Sequence, residues 1–288
     1  MTAVSLKEIL PDALEKGYAI PGFVVLGWED AISFVEASEE LNLPIIIQAG
    51  PACRQHTPIP VLGKMFRELA DKAKTKIVCH LDHATSEKEC ETAVNEGFTS
   101  VMFDGSALNL NENINQTLSV CNLIRKHDVS VEAELGFVGY NNSSKSSLTN
   151  PDEAKIFIEQ TKIDALAVSI GNVHLQKRQQ NNINLDLLKE IEQKTSCPLV
   201  LHGSSGISYK SRRHLALNTS ICKFNIGTEL RQEFGKNLRL ILKKKKNEFD
   251  RIKILTELIQ PLKEAAKKDY SKFTEKLTII LLNLKFLF

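Results

Sequence analysis

Eight short apolar runs rich in β-branched residues recur along the chain, each followed by a turn and then a helical pattern. They are Ile20–Val25, Pro44–Gly50, Ile77–His83, Ser100–Ser106, Ser130–Gly136, Ala165–Gly171, Leu199–Gly206 and Lys223–Thr228. Runs this continuous suit strands buried on both faces. Amphipathic stretches lie between them, over Glu29–Leu41, Pro58–Lys74, Glu87–Glu96, Asn113–His127, Pro151–Thr161 and Leu185–Thr195. Strand alternating with helix predicts a parallel sheet. Eight such units within 288 residues predict an α/β fold, a TIM (β/α)8 barrel, rather than two doubly wound domains. Residues 1–255 are expected to form the barrel, and 256–288 a C-terminal helical extension of the same domain.

Composition removes several classes of function. With 42% hydrophobic and 25% charged residues, the chain has enough apolar material for a large core, which excludes disorder throughout. Lys+Arg 37 against Asp+Glu 35 leaves a net charge of +2, so nothing in the overall balance points to nucleic acid or an anionic membrane. Any anionic ligand must be recognised locally. The first residues lack the pattern of a secretory signal, and no stretch reaches the roughly 20 apolar residues a bilayer span requires. Cys53, Cys79, Cys90, Cys121, Cys197 and Cys222 show no short metal-type spacing and read as reduced, buried thiols. The expected compartment is the cytoplasm.

In a barrel of this kind the carboxyl ends of the strands converge on one rim, where catalysis takes place. Polar residues at those ends are therefore informative. The third run ends His80-Leu-Asp-His83, the fourth Asp104-Gly-Ser106, and the fifth carries Glu132-Ala-Glu134. The sixth ends Gly171-Asn-Val-His174, the seventh His202-Gly-Ser-Ser-Gly206 and the eighth Asn225-Ile-Gly-Thr228. His83, His174 and His202 arrive from three different strand ends, and three nitrogen ligands with one open position make a catalytic zinc site. His56, His127 and His214 fall in helices or loops and read as structural, while His80 is expected to fill the barrel or support the site.

Asp82 would sit at the edge of such a metal, where a proton-transfer carboxylate is useful. Asp104 and Glu134 read either as outer ligands or as hydrogen-bonding groups for neighbouring turns. The small residues of the last two strand ends expose backbone N–H groups at the common phosphate position of these barrels, and Ser205, Asn225 and Thr228 add side-chain donors. Lys223 is expected at the start of its strand, on the stability face, which argues against a Schiff-base lysine. The polar connection Phe137–Asn150 reads as a surface loop or a flap over the site, and Lys243–Lys246 as a solvated helix face. These residues describe a metal-dependent barrel enzyme acting on a phosphorylated carbonyl compound or sugar, without separating lyase, epimerase and hydrolase.

The same residues resemble the class II, zinc-dependent ketose-bisphosphate aldolases, which include fructose-bisphosphate and tagatose-bisphosphate aldolases. The matching blocks are Gly17–Pro21, His80–Ala84, Gly97–Ser106, Val131–Gly136, Asp164–His174, Pro198–Gly206 and Lys223–Glu229, in family order. The resemblance implies that His83, His174 and His202 bind a catalytic zinc, that Asp82 is the acid/base, and that Asp104 and Glu134 form an alternative or second divalent position. It implies that Gly203, Ser204, Ser205, Asn225, Ile226, Gly227 and Thr228 hold the dihydroxyacetone-phosphate end, near a monovalent cation (Na+ or K+). The implied activity is reversible aldol cleavage of a ketose phosphate or bisphosphate, a reaction of carbohydrate metabolism, by a homodimer or homotetramer. The other readings are a non-catalytic accessory or binding subunit on the same fold, or a metal-dependent sugar-phosphate epimerase. Four departures stand out: Val24 follows Phe23 where Asn is common, Leu175-Gln176-Lys177 replaces Gly-x-Tyr, the loop after Gly139 lacks a carboxylate, and the tail Leu277–Phe288 is apolar.

Overall fold

The strand–helix alternation closes on itself. The computed structural model describes residues 1–139, 146–176, 183–270 and 273. A two-residue strand, β1 (Ala3–Val4), precedes the eight of the barrel: β2 (Ile20–Val24), β3 (Ile45–Ala49), β4 (Ile77–Ala84), β5 (Ser100–Phe103), β6 (Ser130–Leu135), β7 (Ala165–Val168), β8 (Leu199–Leu201) and β9 (Ile221–Ile226). The pairings among these eight strands are parallel and follow chain order from β2 to β9. The barrel shuts where Ile20 to Phe23 of β2 pair with Lys223 to Ile226 of β9. The fold is a TIM (β/α)8 barrel, as the alternation predicts.

The helices are α1 (Leu10–Lys16), α2 (Trp28–Leu41), α3 (Pro51–His56), α4 (Ile59–Lys72), α5 (Glu87–Asn95), α6 (Leu110–Ile124), α7 (Pro151–Thr161), α8 (Leu185–Lys194), α9 (Tyr209–Asn218), α10 (Thr228–Lys244) and α11 (Arg251–Tyr270). Local chemistry sets their ends. In α7 the Asn150 side chain accepts from the N–H groups of Asp152 and Glu153, Pro151 pre-sets the first turn, and Lys162 closes the helix in a left-handed conformation. Helix α11 lies against α2: Lys263 reaches Glu36 at 3.2 Å and Glu40 at 2.7 Å, and the Tyr270 hydroxyl donates to the Pro44 carbonyl at 2.7 Å.

Two apolar layers hold the barrel. One fills the space between strands and helices, where Phe23, Phe34 and Tyr270 form a ring cluster. The other lies inside and below, where Ile20, Ile46, Val78, Met102 and Val200 meet Val4, Leu6, Ile9 and Leu10 from the N-terminal segment. That segment plugs the amino end of the barrel and is tied in by backbone groups. The Leu6 N–H donates to Ser130 Oγ at 2.9 Å, and the Val4 carbonyl accepts from Thr99 Oγ1 at 2.6 Å. Each large aliphatic side chain so buried contributes about 1.5–3 kcal/mol. The plug leaves the opposite, carboxyl-end rim as the mouth. Three features singled out in the sequence lie outside the described residues: the middle of the polar loop (140–145), Lys177 and the apolar tail (277–288).

Candidate active site

Asp82 and His83 are consecutive, and in a regular strand they would face opposite sides of the sheet. Strand β4 breaks that alternation. Its register with β5 shifts between Leu81 and Ala84, and His83 adopts φ +52°. A left-handed conformation costs a non-glycine residue about 1–2 kcal/mol, so something must hold it. Arg54 of α3 does: Nη1 donates to the carbonyls of Ala49 at 2.9 Å and Asp82 at 2.5 Å, and Nη2 to that of His83 at 2.9 Å. Glu89 lies 3.4 Å from Arg54 Nε. One guanidinium thereby fixes the turn that sends both Asp82 and His83 to the rim.

The two other histidines arrive on tight turns. His202 follows β8 directly, and Gly203 behind it takes φ +64°. A Cβ on Gly203 would sit 2.6 Å from Val173 C, so only glycine lets the β8 turn pack on the segment carrying His174. Asn172 braces the same place, donating through Nδ2 to the His202 carbonyl at 3.1 Å. The result is a triangle of imidazoles with ring centroids 4.6 Å apart for His83–His202, 5.2 Å for His83–His174 and 5.6 Å for His174–His202.

Carboxylates surround that triangle. Asp104 Oδ2 lies 2.7 Å from His83 Nδ1, and Glu134 Oε2 lies 3.9 Å from the same nitrogen and 3.4 Å from His202 Nδ1. Burial works against a charged His83, but Asp82, Asp104 and Glu134 outweigh it and push its pKa up to about 10. Burial holds His174 and His202 well below the ordinary imidazole range, and the proximity of His83 adds to this. Burial, with Asp104 beside it, pushes Glu134 up to about 8. Burial works against an ionised Asp82, but the positive charges of His83 and Lys223 nearby outweigh it, and its pKa falls. Its oxygens are held separately: Gln48 Nε2 donates to Oδ2 at 3.2 Å and Asn225 Nδ2 to Oδ1 at 3.1 Å.

Beside the triangle opens a cleft of about 310 Å³ lined by Asp82, His83, His174 and residues of the β8 and β9 turns. Gly203, Ser205, Asn225, Gly227 and Thr228 line it. Ser204 and Ile226 do not: both are buried beneath, and the Ser204 hydroxyl is used to donate to the Leu201 carbonyl at 2.7 Å. Helix α10 begins at Thr228 on the cleft wall, with the partial positive charge of its N-terminus there. Val24 and Leu175, the departures from the family pattern, both line the cleft. Leu175 has φ +58°.

Several site residues went unnoticed in the sequence. Gln48, buried one residue before the end of β3, holds Asp82; its signal was a lone amide in an otherwise apolar strand. Arg54 carried no signal at all. Arg231, one turn into α10, lines the cleft, and its Nε is buried with no hydrogen-bond partner among the described residues. Lys223 requires a correction. It does not begin its strand on the stability face: β9 starts at Ile221, and Lys223 is fully buried inside the barrel, 2.6 Å from Glu132 Oε2.

His83, His174 and His202 present ligand atoms within 4.8 Å of one another, as do His83, Asp104 and Glu134. Two buried atoms, His202 Nδ1 and Glu134 Oε2, have no hydrogen-bond partner among the described residues. Leaving such atoms orphaned is costly unless something else satisfies them. Imidazole nitrogens beside carboxylates are the donor set of a divalent transition metal, zinc foremost, which takes the place of the proton His83 otherwise carries, so the residues fit a metal.

A parallel barrel that gathers imidazoles and carboxylates from separate strand ends around a rim cleft belongs to the barrel enzymes. The sequence pattern of the family described as fructose-bisphosphate aldolase class-II matches residues 4–276. The chain belongs to that family and is an aldolase, a carbon–carbon lyase. Among solved structures it is similar to the YdjI aldolase from Escherichia coli K12, with 31% identity, 94% of this chain and 97% of that one covered, and a TM-score of 0.81. It also shares its fold with a fructose-bisphosphate aldolase from Campylobacter jejuni, with 21% identity, 94% and 95% coverage, and a TM-score of 0.77. No helix among the described residues is long and apolar enough to cross a membrane.

Proposed function

We propose that the protein catalyses zinc-dependent, reversible aldol cleavage of a ketose phosphate or bisphosphate, giving dihydroxyacetone phosphate and an aldehyde. The observation that carries this is the clustering of His83, His174 and His202 ligand atoms within 4.8 Å of one another, beside a cleft lined by Asp82, His83 and His174. The three histidines hold the zinc, and Asp104 with Glu134 offers a second divalent position beside His83. Zinc bound there supplies a Lewis-acid charge that polarises the ketose carbonyl and stabilises negative charge developing next to it.

Asp82 accepts the proton of the C4 hydroxyl as the C3–C4 bond breaks. C4 leaves as the aldehyde, the bond's electron pair stays on the C3 side as an enediolate, and a proton delivered to C3 completes dihydroxyacetone phosphate. Its low pKa keeps it ionised as a base, and Gln48 and Asn225 fix the direction of its oxygens. The phosphate of the dihydroxyacetone half rests on the backbone N–H groups and hydroxyls of the Gly203–Ser205 and Gly227–Thr228 turns, at the N-terminus of α10. Arg231 supplies a positive charge to an anionic substrate in the same cleft. A monovalent cation near the phosphate completes the charge balance.

The test is a coupled assay for triose phosphate, run on zinc-loaded protein with a panel of ketose 1-phosphates and 1,6-bisphosphates. Release from at least one is expected. Bound zinc with no turnover across the panel contradicts the proposal.

A further inference from the structure

Below the rim, the barrel encloses a group of charges for which the proposed reaction has no use. Lys223 Nζ of β9 lies 2.6 Å from Glu132 Oε2 and 3.2 Å from His80 Nε2. The other carboxylate oxygen, Glu132 Oε1, lies 3.1 Å from His202 Nε2, and His80 Nδ1 lies 2.8 Å from Ser100 Oγ. Lys223, Glu132, His80, Ser100 and His202 are all fully buried, so no water competes for these contacts.

Donor and acceptor roles in this chain are forced. An ammonium donates only, so His80 accepts at Nε2 and carries its own proton on Nδ1, which donates to Ser100. An ionised carboxylate accepts only, so the His202 nitrogen facing Glu132 must be N–H. In a neutral ring that leaves a lone pair on Nδ1. This is the buried atom that lacks a hydrogen-bond partner among the described residues, and it lies 3.4 Å from Glu134 Oε2, on the side of the proposed metal. A carboxylate alone at this depth would be costly, and Lys223, reaching from β9 toward β6, offsets its charge.

We infer that Glu132, anchored by Lys223, is a positioning residue that fixes His202 as its Nε2–H tautomer and aims Nδ1 at the metal. This rests on the zinc site proposed above. Lys223 then acts through Glu132 and takes no part in covalent chemistry with the substrate.

Two paired variants of the full-length protein separate this role from mere charge burial. Glu132→Gln/Lys223→Met and Glu132→Leu/Lys223→Met both remove the ion pair, and only the first keeps an oxygen facing His202 Nε2. Zinc affinity is measured by chelator competition, with the melting temperature of each metal-free variant as a fold control. The Leu/Met pair is expected to bind zinc about 10–100-fold more weakly than the Gln/Met pair. Equal affinities in two folded variants overturn the inference. Whether or not the variants fold, long-range 1H–15N spectra of the metal-free wild type read the tautomer directly. A protonated Nε2 and an unprotonated Nδ1 on His202 are expected, and the reverse assignment overturns the inference. A wild type that takes up no zinc would instead defeat the proposed function, because the tautomer result stands independently of the metal.

Discussion

Arg54→Lys probes the device that brings Asp82 and His83 to the same rim. The guanidinium spans three carbonyl oxygens, those of Ala49, Asp82 and His83, at 2.5–2.9 Å. Lysine keeps the charge but offers one compact ammonium, which cannot reach all three in the geometry of a planar fork. Losing two charge-assisted hydrogen bonds, each contributing about 1.5–3 kcal/mol, removes about 3–6 kcal/mol of local support. Part of this is regained when His83 relaxes from φ +52°, which returns about 1–2 kcal/mol. The net loss of about 2–4 kcal/mol corresponds to a melting temperature lower by roughly 4–8 °C in a chain of this size. The effect on turnover should be larger than the effect on stability. Relaxation of His83 moves the Asp82 carboxylate, and a displacement of about 1 Å costs on the order of 100-fold in rate. Differential scanning calorimetry and steady-state kinetics on the same preparation test this. If Arg54→Lys melts within about 1 °C of wild type and keeps its kcat, the clamp does not support the His83 turn.

Two further substitutions test other parts of the account. Gly203→Ala forces a Cβ against the Val173 carbonyl group in a left-handed turn, and it should cost about 2 kcal/mol or more in urea unfolding and weaken zinc binding by displacing His174; unchanged zinc affinity would separate that turn from the metal site. Asp30 is buried and pushed up to about 6, chiefly by burial. A carboxyl whose folded pKa lies above its unfolded value stabilises fully below about pH 4 and loses that contribution as pH rises through about 6. Asp30→Asn should therefore raise stability near pH 7.5 by up to about 3 kcal/mol and flatten the decline between pH 4 and 6. A pH profile identical to wild type in denaturant titrations would contradict it.

Strands and rim histidines were readable in the sequence because each rests on a pattern longer than one residue. Apolar runs buried on both faces leave continuous hydrophobic stretches, and a polar residue ending such a run stands out. The N-terminal plug was not readable: a two-residue strand and a 3₁₀ turn carry no periodicity. Lys223 was misplaced because the apolar pair that opens β9 is short and is followed at once by a charged residue. Ile221 and Cys222 precede it, and the register irregularity against β8 obscures which face each residue takes. The roles of Arg54 and Glu132 were not readable for a different reason: Arg54 reaches the Asp82 carbonyl 28 positions on and Glu132 pairs with Lys223 91 positions on, which spacing along a chain does not reveal. Ser204 shows the opposite error, a turn residue of the right type whose hydroxyl is consumed in holding the backbone.

The most direct measurement takes zinc content and ketose-phosphate cleavage from one sample of Asp82→Ala beside the wild type. Asp82 touches Gln48 and Asn225 and is not itself one of the three imidazole ligands. The variant should retain its zinc while triose phosphate release falls by about 100- to 10,000-fold, the range of a lost proton-transfer group. Full turnover with zinc bound would show that Asp82 does not carry the proton and would contradict the account at its centre.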